Sequence, residues 1–170
     1  LFIFDNYKKK LDSFRTDSTV YDVTGEQCKD TLINLDVYLQ NKYQSLIAGD
    51  ELDQAWKVLL INNEDAFQSI SGDKVALSAF MNIVGKYKML NMFVLLGNVP
   101  NAQVVYGAPE IYKIVKEGRK KIFFDNLENM KLVDVSLTIV RHNKKKIETG
   151  DAFYICGNEC LKIKTPLAIQ

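Results

Sequence analysis

The chain has 170 residues, of which 47% are hydrophobic and 25% are charged, and its formal net charge is +1. This composition is typical of a globular domain with a substantial core, and it excludes a disordered chain, a collagen-like repeat and a disulfide-rich scaffold. The three cysteines cannot all pair within the chain, so we expect free thiols. The near-neutral charge gives no general attraction to nucleic acid or to an acidic membrane.

The first half of the chain alternates short apolar runs with helical patterns. A continuous apolar run favours a strand that is buried on both faces, and such runs predict strands at Leu1–Phe4, Thr19–Val23, Trp56–Ile61 and Met92–Leu96. Apolar residues at three- and four-residue steps predict helices over 27–47 and 74–88. Strands that alternate with helices indicate βα units on a mostly parallel sheet.

The second half carries weaker signals. They predict a helix over 109–117 that begins at a proline, a strand at Lys121–Phe124 and a turn of helix from Asn126 through Val133. Segment 135–146 fits either a strand or one helical stripe, and both interpretations stay open. Two apolar runs around Gly157-Asn158, at Ala152–Cys156 and Glu159–Lys164, predict a C-terminal β-hairpin.

Polar residues follow the two most apolar strands, where open α/β sheets place their ligand sites. Val58–Ile61 followed by Asn62, Asn63 and Glu64 has the shape of a Walker B strand, whose tip normally carries an acid that holds Mg²⁺ and a residue that activates water. Both amides lack that chemistry, so we interpret 62–64 as a degenerate Walker B position without a metal ligand or a catalytic residue. The alternative, that a buried strand simply ends in Asn, stays open. Asn98 follows Met92–Leu96 at the position of a sensor residue.

A phosphate-binding P-loop is absent from the sequence. The pattern needs a further glycine five residues before the glycine of a Gly-Lys pair. The only Gly-Lys pair in the sequence is Gly85-Lys86, and the residue five positions before Gly85 is Phe80. We interpret the chain as a fragment of a longer polypeptide, in which a strand–loop–helix unit before Leu1 is where a P-loop would lie. His142 is the only histidine and lies next to the basic run Lys144–Lys146, so we expect a solvated surface residue.

The order of these pieces resembles the C-terminal ATPase-type domain of the EssC family, the membrane-bound FtsK/SpoIIIE-like motors of type VII secretion in Gram-positive bacteria. Three strands with polar tips contribute to the resemblance: Leu1–Asn6, Val58–Asn63 and Phe93–Gly97. The strongest local match is the signature Gly150–Ile155, followed by Leu161–Leu167, because a Gly-Asp hairpin rich in aromatic residues closes the motor domain in this family.

The resemblance implies a RecA-like fold that forms a single domain across residues 1–170. It implies a role in recognising or moving secreted proteins of the Esx, or WXG, type, in a secretion system connected with virulence. ATP and Mg²⁺ then belong to the parent motor, and we expect no cofactor in this fragment. The family also implies other ATPase domains as partners and a membrane-anchored, oligomeric parent whose motor domains are cytoplasmic.

Two alternatives to a degenerate domain remain. The first is an active ATPase domain whose P-loop lies upstream of Leu1. The second is an FtsK-type DNA translocase, which the net charge of +5 over Lys113–Lys164 favours. The near-neutral total argues against nucleic acid as a partner. Residues Asp50–Asp73 carry a net charge of −5, and the opposite charges of the two regions predict oriented contacts with neighbouring motor domains or with a secreted protein.

Overall fold

In a computed structural model of the protein, residues 1–51, 54–102, 104–143 and 147–165 are described. They belong to two compact units, Leu1–Pro100 and Asn101–Gln170. The first unit contains a four-stranded sheet and the second a three-stranded sheet. That the whole chain acts as a single domain stays a prediction.

The sheet of the first unit is parallel and has the order β2-β1-β3-β4. Its strands are β1 (Phe2–Phe4), β2 (Val20–Asp22), β3 (Lys57–Ile61) and β4 (Met92–Leu96). The four predicted strands are therefore confirmed, with ends that differ by at most one residue. Because Phe4 pairs with Asp22 and Ile61, and Ile61 pairs with Leu96, all four strands end at the same edge of the sheet.

Helices α1 (Gly25–Ile47), α2 (Glu64–Gly72) and α3 (Lys74–Gly85) contact one another and form one layer. Thr24 caps α1 by accepting a hydrogen bond from the Gln27 N–H at 3.3 Å. A Cβ on the buried Gly25 would lie 2.8 Å from the Asp65 carbonyl oxygen, so a glycine is needed where α1 approaches α2. None of the described helices is long and apolar enough to cross a membrane.

Helix α2 is absent from the sequence prediction, and α3 is shorter than predicted. With nine residues, α2 buries only Ala66, Phe67 and Ile70, which is too short a pattern to establish a helical period. The helix predicted over 74–88 ends at Gly85 and continues as a 3₁₀ turn at Tyr87–Leu90. The Tyr87 hydroxyl in this turn donates to the Asp36 carboxylate on α1 at 2.8 Å, which anchors the turn to the helix layer.

Strand β3 is buried on one face only, so the expectation that its apolar run is buried on both faces is wrong for the described structure. Leu59 and Ile61 are fully buried, whereas Val58 and Leu60 are partly exposed. On β4, Phe93 is 45% exposed and Leu95 is 56% exposed. We call this second side the open face. It is formed by Val58, Leu60, Phe93, Leu95 and Trp56, whose ring stacks on that of Phe93.

The second unit contains α4 (Glu110–Glu117), α5 (Leu137–His142) and the antiparallel strands β5 (Lys120–Phe123), β6 (Asp151–Cys156) and β7 (Glu159–Lys164). The predicted hairpin is confirmed, and Gly157 in its turn has a φ of 61°. Leu127, Phe153 and Ile155 form the core.

Two ambiguous segments of the second unit now have a physical explanation. Segment 137–142 is a helix whose first turn is capped by the Ser136 hydroxyl, and its Ile139 packs on the core. The helix predicted through Val133 is wrong beyond one 3₁₀ turn at Leu127–Asn129. The chain leaves the turn because the N–H groups of Lys131 and Leu132 donate to the Asn101 side chain instead of to helical carbonyls.

Candidate functional site

The carboxyl edge of the parallel sheet surrounds a cavity of about 550 Å³. The structure brings all four sequence-predicted positions to this cavity, which is lined by Asn6, Tyr7, Lys8, Lys10, Asn62, Asn63, Glu64, Asp65, Asn98 and Val99. The edge lies here because β1, β3 and β4 run parallel and end in register. The polar tips are therefore close together, as expected for a ligand site in an open α/β sheet.

Asn63 is buried, and its side chain makes four hydrogen bonds. Its Nδ2 donates to the backbone carbonyls of Asp5 at 2.7 Å and Val23 at 3.1 Å. Its Oδ1 accepts from the N–H groups of Asp65 at 2.9 Å and Ala66 at 3.3 Å, which caps α2. An amide has two donor hydrogens and two acceptor lone pairs, so these contacts use its full capacity. Asn63 thus joins three segments of the fold and has no group left for a ligand.

Sequence reasoning missed Asp5, which is fully buried at the same edge. Its Oδ1 accepts from the Asn6 N–H at 2.9 Å and from Asn62 Nδ2 at 3.2 Å. Its Oδ2 accepts from the Leu11 N–H at 2.8 Å and from the Tyr21 hydroxyl at 2.7 Å. The signal was present in the sequence, because Asp5 directly follows an apolar strand just as Asn62 does.

The surroundings of Asp5 keep its carboxylate ionised. Burial raises the pKa of Asp5, but the hydrogen bonds from Leu11, Tyr21, Asn6 and Asn62 outweigh burial, so the pKa lies below its usual value. Burial and the bond to Asp5 raise the pKa of Tyr21, which stays protonated as a donor. A carboxylate offers about four lone pairs, and the four donors occupy them. Asp5 is therefore a structural anion, with no lone pair for Mg²⁺ and no pKa suited to a general base.

Asn62, Glu64 and Asn98 have different surroundings. A Cβ on Gly97 would lie 2.9 Å from Asn62 Oδ1, so glycine allows the end of β4 to approach Asn62 closely. Asn98 is exposed and has a φ of 49°, a left-handed conformation that asparagine tolerates. Glu64 is exposed in the first turn of α2, where a negative charge stabilises the helix. Glu64 and Asn98 are therefore accessible polar groups at the cavity, and Asn62 is partly exposed.

Neither a family model nor a curated protein matches the sequence. Solved structures of EssC do match the fold. ATPases 2 and 3 of EssC from Geobacillus thermodenitrificans match with a TM-score of 0.74 and 20% identity, over 97% of this chain and 30% of that one. The cytoplasmic domain of EssC matches with a TM-score of 0.69 and 20% identity, over 97% of this chain and 33% of that one.

The chain has the fold of the EssC ATPase domains. The predicted α/β class is confirmed, with a parallel sheet, flanking helices and a C-terminal hairpin, and the fold is RecA-like. The resemblance to EssC is likewise confirmed at the level of the fold. The chain spans about a third of the length of the EssC structures that it matches.

The hairpin signature that contributed to the EssC resemblance has a structural role. Asp151 is buried, and its carboxylate lies 2.8 Å from Lys162 Nζ and 2.6 Å from Lys164 Nζ. A hydrogen bond from the Glu148 N–H and these two cations lower the pKa of Asp151 below its usual value. His142 is exposed, as expected. The basic run 144–146 and the last two signature residues, 166 and 167, lie outside the described residues.

Introducing an acid at position 62, at the end of β3, is expected to create a pH-dependent loss of stability. In Asn62→Asp, a second carboxylate replaces the amide that donates to Asp5, so one carboxyl of the pair gains a raised pKa in the folded state. A raised folded-state pKa means that stability falls as the pH rises through that pKa. Urea unfolding between pH 4 and 8 should show that the free energy of unfolding of the variant falls below that of the unsubstituted protein as the pH rises. The difference should reach roughly 1–3 kcal/mol near neutral pH.

The matched control is Asn98→Asp, which adds the same charge at the same edge on an exposed side chain. We expect a change within about 0.5 kcal/mol that is nearly independent of pH. A deficit in Asn62→Asp that does not vary with pH would contradict the pairing of position 62 with Asp5.

Proposed function

We propose that this chain is a degenerate motor domain of a type VII secretion ATPase, and that it acts by binding protein rather than by hydrolysing ATP. One observation carries the proposal: two buried polar side chains at the strand tips, Asn63 and Asp5, are committed to holding the fold together. Asn63 has no free hydrogen-bonding group, and Asp5 has no free lone pair. The EssC fold supports the secretion context.

In this proposal, ATP and Mg²⁺ belong to the other motor domains of a longer parent polypeptide. Amides at 62 and 63 supply neither charge for a metal nor a base for a proton. One similar structure holds two ATPase domains in one chain, which supports neighbouring ATPase domains as partners here. We further propose that the parent is membrane-anchored and oligomeric and that this domain lies in the cytoplasm of a Gram-positive bacterium.

The secreted substrate is proposed to be a helical-hairpin protein of the Esx, or WXG, type. The cavity at the carboxyl edge offers hydrogen-bonding and charged groups of both signs, since amides, Tyr7, Lys8 and Lys10 line it together with Glu64 and Asp65. Mixed charges and amides favour orientation of a polar protein surface more than capture of a small anion. A nucleic-acid partner remains unexpected at a total charge of +1.

Deletion of residues 1–170 from the parent is the experiment that tests this function. We expect secretion of the Esx-type protein to stop while the purified parent retains the ATP hydrolysis rate of its other motor domains, because this domain contributes binding and not catalysis. Secretion is measured by immunoblot of culture medium and hydrolysis by phosphate release. Retained hydrolysis and an unchanged oligomeric state are the controls for correct assembly.

Two results would overturn the proposal. Normal secretion by the deleted parent would show that the domain is dispensable. A loss of ATP hydrolysis that parallels the loss of secretion, in a parent of unchanged oligomeric state, would favour the alternative of an active ATPase domain whose P-loop lies upstream of Leu1.

A further inference from the structure

The connection from β1 to β2 contains a basic segment, residues 7–15, which we call the basic loop. It has four basic residues and one acid, a net charge of +3. The acid, Asp12, already pairs with Arg15, since Asp12 Oδ1 and Arg15 Nη1 are 3.1 Å apart. The three lysines at 8–10 are exposed, and their ammonium groups have no ion-pair partner among the described residues. The basic loop therefore presents three unpaired cations.

Hydrogen bonds hold the backbone of the basic loop in one conformation. The Leu11 N–H donates to the buried Asp5 carboxylate at 2.8 Å, which ties the loop to the end of β1. The Lys8 N–H donates to the Asn6 side chain at 3.0 Å, and the Lys9 N–H donates to the Asn6 carbonyl at 2.9 Å. Binding of a partner therefore has to order only side chains, which lowers the entropic cost of association.

The basic loop also lines the cavity at the carboxyl edge of the sheet. Tyr7, Lys8 and Lys10 line the cavity from this loop, whereas Glu64 and Asp65 line it from the first turn of α2. All five residues are exposed. The lining therefore carries positive charge from one element and negative charge from another, together with the amides of the strand tips.

Charges of both signs in one cavity select against a uniformly charged partner. The phosphates of a nucleic acid or of an acidic bilayer would meet Glu64 and Asp65 as well as the lysines, and such like-charge contacts oppose binding. A protein segment can instead place acidic side chains against Lys8 and Lys10 and a basic side chain against the acids of α2. Tyr7, which is 78% exposed, adds a side chain of the type that often anchors contacts between proteins.

We propose that the cavity binds a protein segment whose clustered acidic side chains contact Lys8 and Lys10 and whose neighbouring basic side chain contacts Glu64 and Asp65. The inference rests on the proposed function in taking a protein as the partner, and it deepens that function by assigning the charges of the recognised segment. Reversal of the segment would bring like charges together, so the two sets of charges also fix its direction in the cavity.

Binding of two synthetic peptides to residues 1–170, measured by fluorescence anisotropy at low salt, tests the proposal. The bipolar peptide has a run of glutamates followed by a pair of lysines, and the control peptide has glutamine in place of each glutamate. We expect the bipolar peptide to bind at least about tenfold more tightly, with an affinity that falls as salt is added. Lys8→Gln combined with Lys10→Gln should abolish this difference between the peptides.

The matched control combines Lys74→Gln with Lys88→Gln, which removes the same charge from exposed lysines that do not line the cavity. Its affinity for the bipolar peptide should change by less than about twofold. Glu64→Gln tests the acidic side of the cavity. It should weaken the bipolar peptide by about threefold, because an exposed ion pair is lost. It should also strengthen any binding of oligo-dT and of phosphatidylglycerol vesicles, whose phosphates the acid repels.

Four results would overturn the proposal. Equal affinity for the two peptides would do so, as would no binding of the bipolar peptide up to about 1 mM. Tighter binding of oligo-dT or of the vesicles, lost with Lys8 and Lys10, would assign the cavity to a nucleic acid or a membrane. Self-association that the same lysine exchanges abolish would assign it to a second copy of this chain.

The peptide assay and the secretion assay distinguish this inference from the proposed function. Failure of peptide binding, when deletion of the domain still stops secretion, would reject the charge assignment alone. Normal secretion by the deleted parent would reject the proposed function, whatever the purified chain binds.

Discussion

Replacing Leu59 by Asp is expected to prevent residues 1–170 from folding. Leu59 is fully buried between the sheet and the helix layer. The substitution removes an apolar side chain worth roughly 2–5 kcal/mol in a core and leaves an unpaired buried charge that costs a further roughly 3–5 kcal/mol. Their sum is comparable to the roughly 5–15 kcal/mol stability of a whole domain. Circular dichroism and thermal melting should show no cooperative transition.

Leu60→Asp is the matched control on the adjacent residue. Leu60 lies on the open face and is only partly buried, so its carboxylate can remain hydrated. We expect a cooperative melt with a loss of roughly 1–3 kcal/mol. If Leu59→Asp and Leu60→Asp lowered the stability of residues 1–170 equally, the one-sided burial of β3 would be contradicted.

Replacing Asn63 by Asp is expected to lower the free energy of unfolding by roughly 2–5 kcal/mol, although the two side chains have nearly the same shape. The carboxylate still accepts from the first turn of α2 but cannot donate to the carbonyls of Asp5 and Val23. Those oxygens would then face a buried negative charge. The loss should narrow at acid pH, where the carboxyl is protonated and regains one donor. Urea unfolding at pH 7 and pH 5 measures both effects.

Asp73→Asn is the reverse exchange, at the N-cap of the adjacent helix α3. The Asp73 carboxylate accepts from the N–H groups of Val75 at 2.8 Å and Ala76 at 3.0 Å, and asparagine caps helices about as well as aspartate. A change below about 1 kcal/mol is expected there. If Asn63→Asp lowered the free energy of unfolding as little as Asp73→Asn, the two hydrogen bonds that Asn63 donates to backbone carbonyls would not hold the strand tips together.

The apolar runs and helical periods were sufficient to predict the four parallel strands, α1 and the hairpin, because each pattern is long enough to have one interpretation. Helix α2 was missed because two turns present too few apolar positions. Burial of the open face was wrongly expected because a continuous apolar run does not show whether helices cover one face of a strand or both. The helices of the first unit pack on one another in a single layer, and Val58 and Leu60 stay partly exposed on the other face.

The candidate site was predicted by position and only partly by role. Polar tips after apolar strands located Asn62, Asn63 and Asn98 correctly at one edge. Asp5 was missed because its partner Asn62 is 57 residues away, and pairing depends on β1 lying next to β3, which no local pattern specifies. The structure also gives Asn63 a role that the sequence did not indicate, because its amide makes four hydrogen bonds that join three segments of the fold.

The contact between Asp5 and Asn62 has a consequence for how such a domain can evolve. An acid introduced at position 62 would meet an ionised carboxylate that is already anchored by Leu11 and Tyr21. A compensating exchange at position 5 would relieve that repulsion, whereas either change alone is expected to destabilise the fold. Sequences related to this one should therefore vary at positions 5 and 62 together.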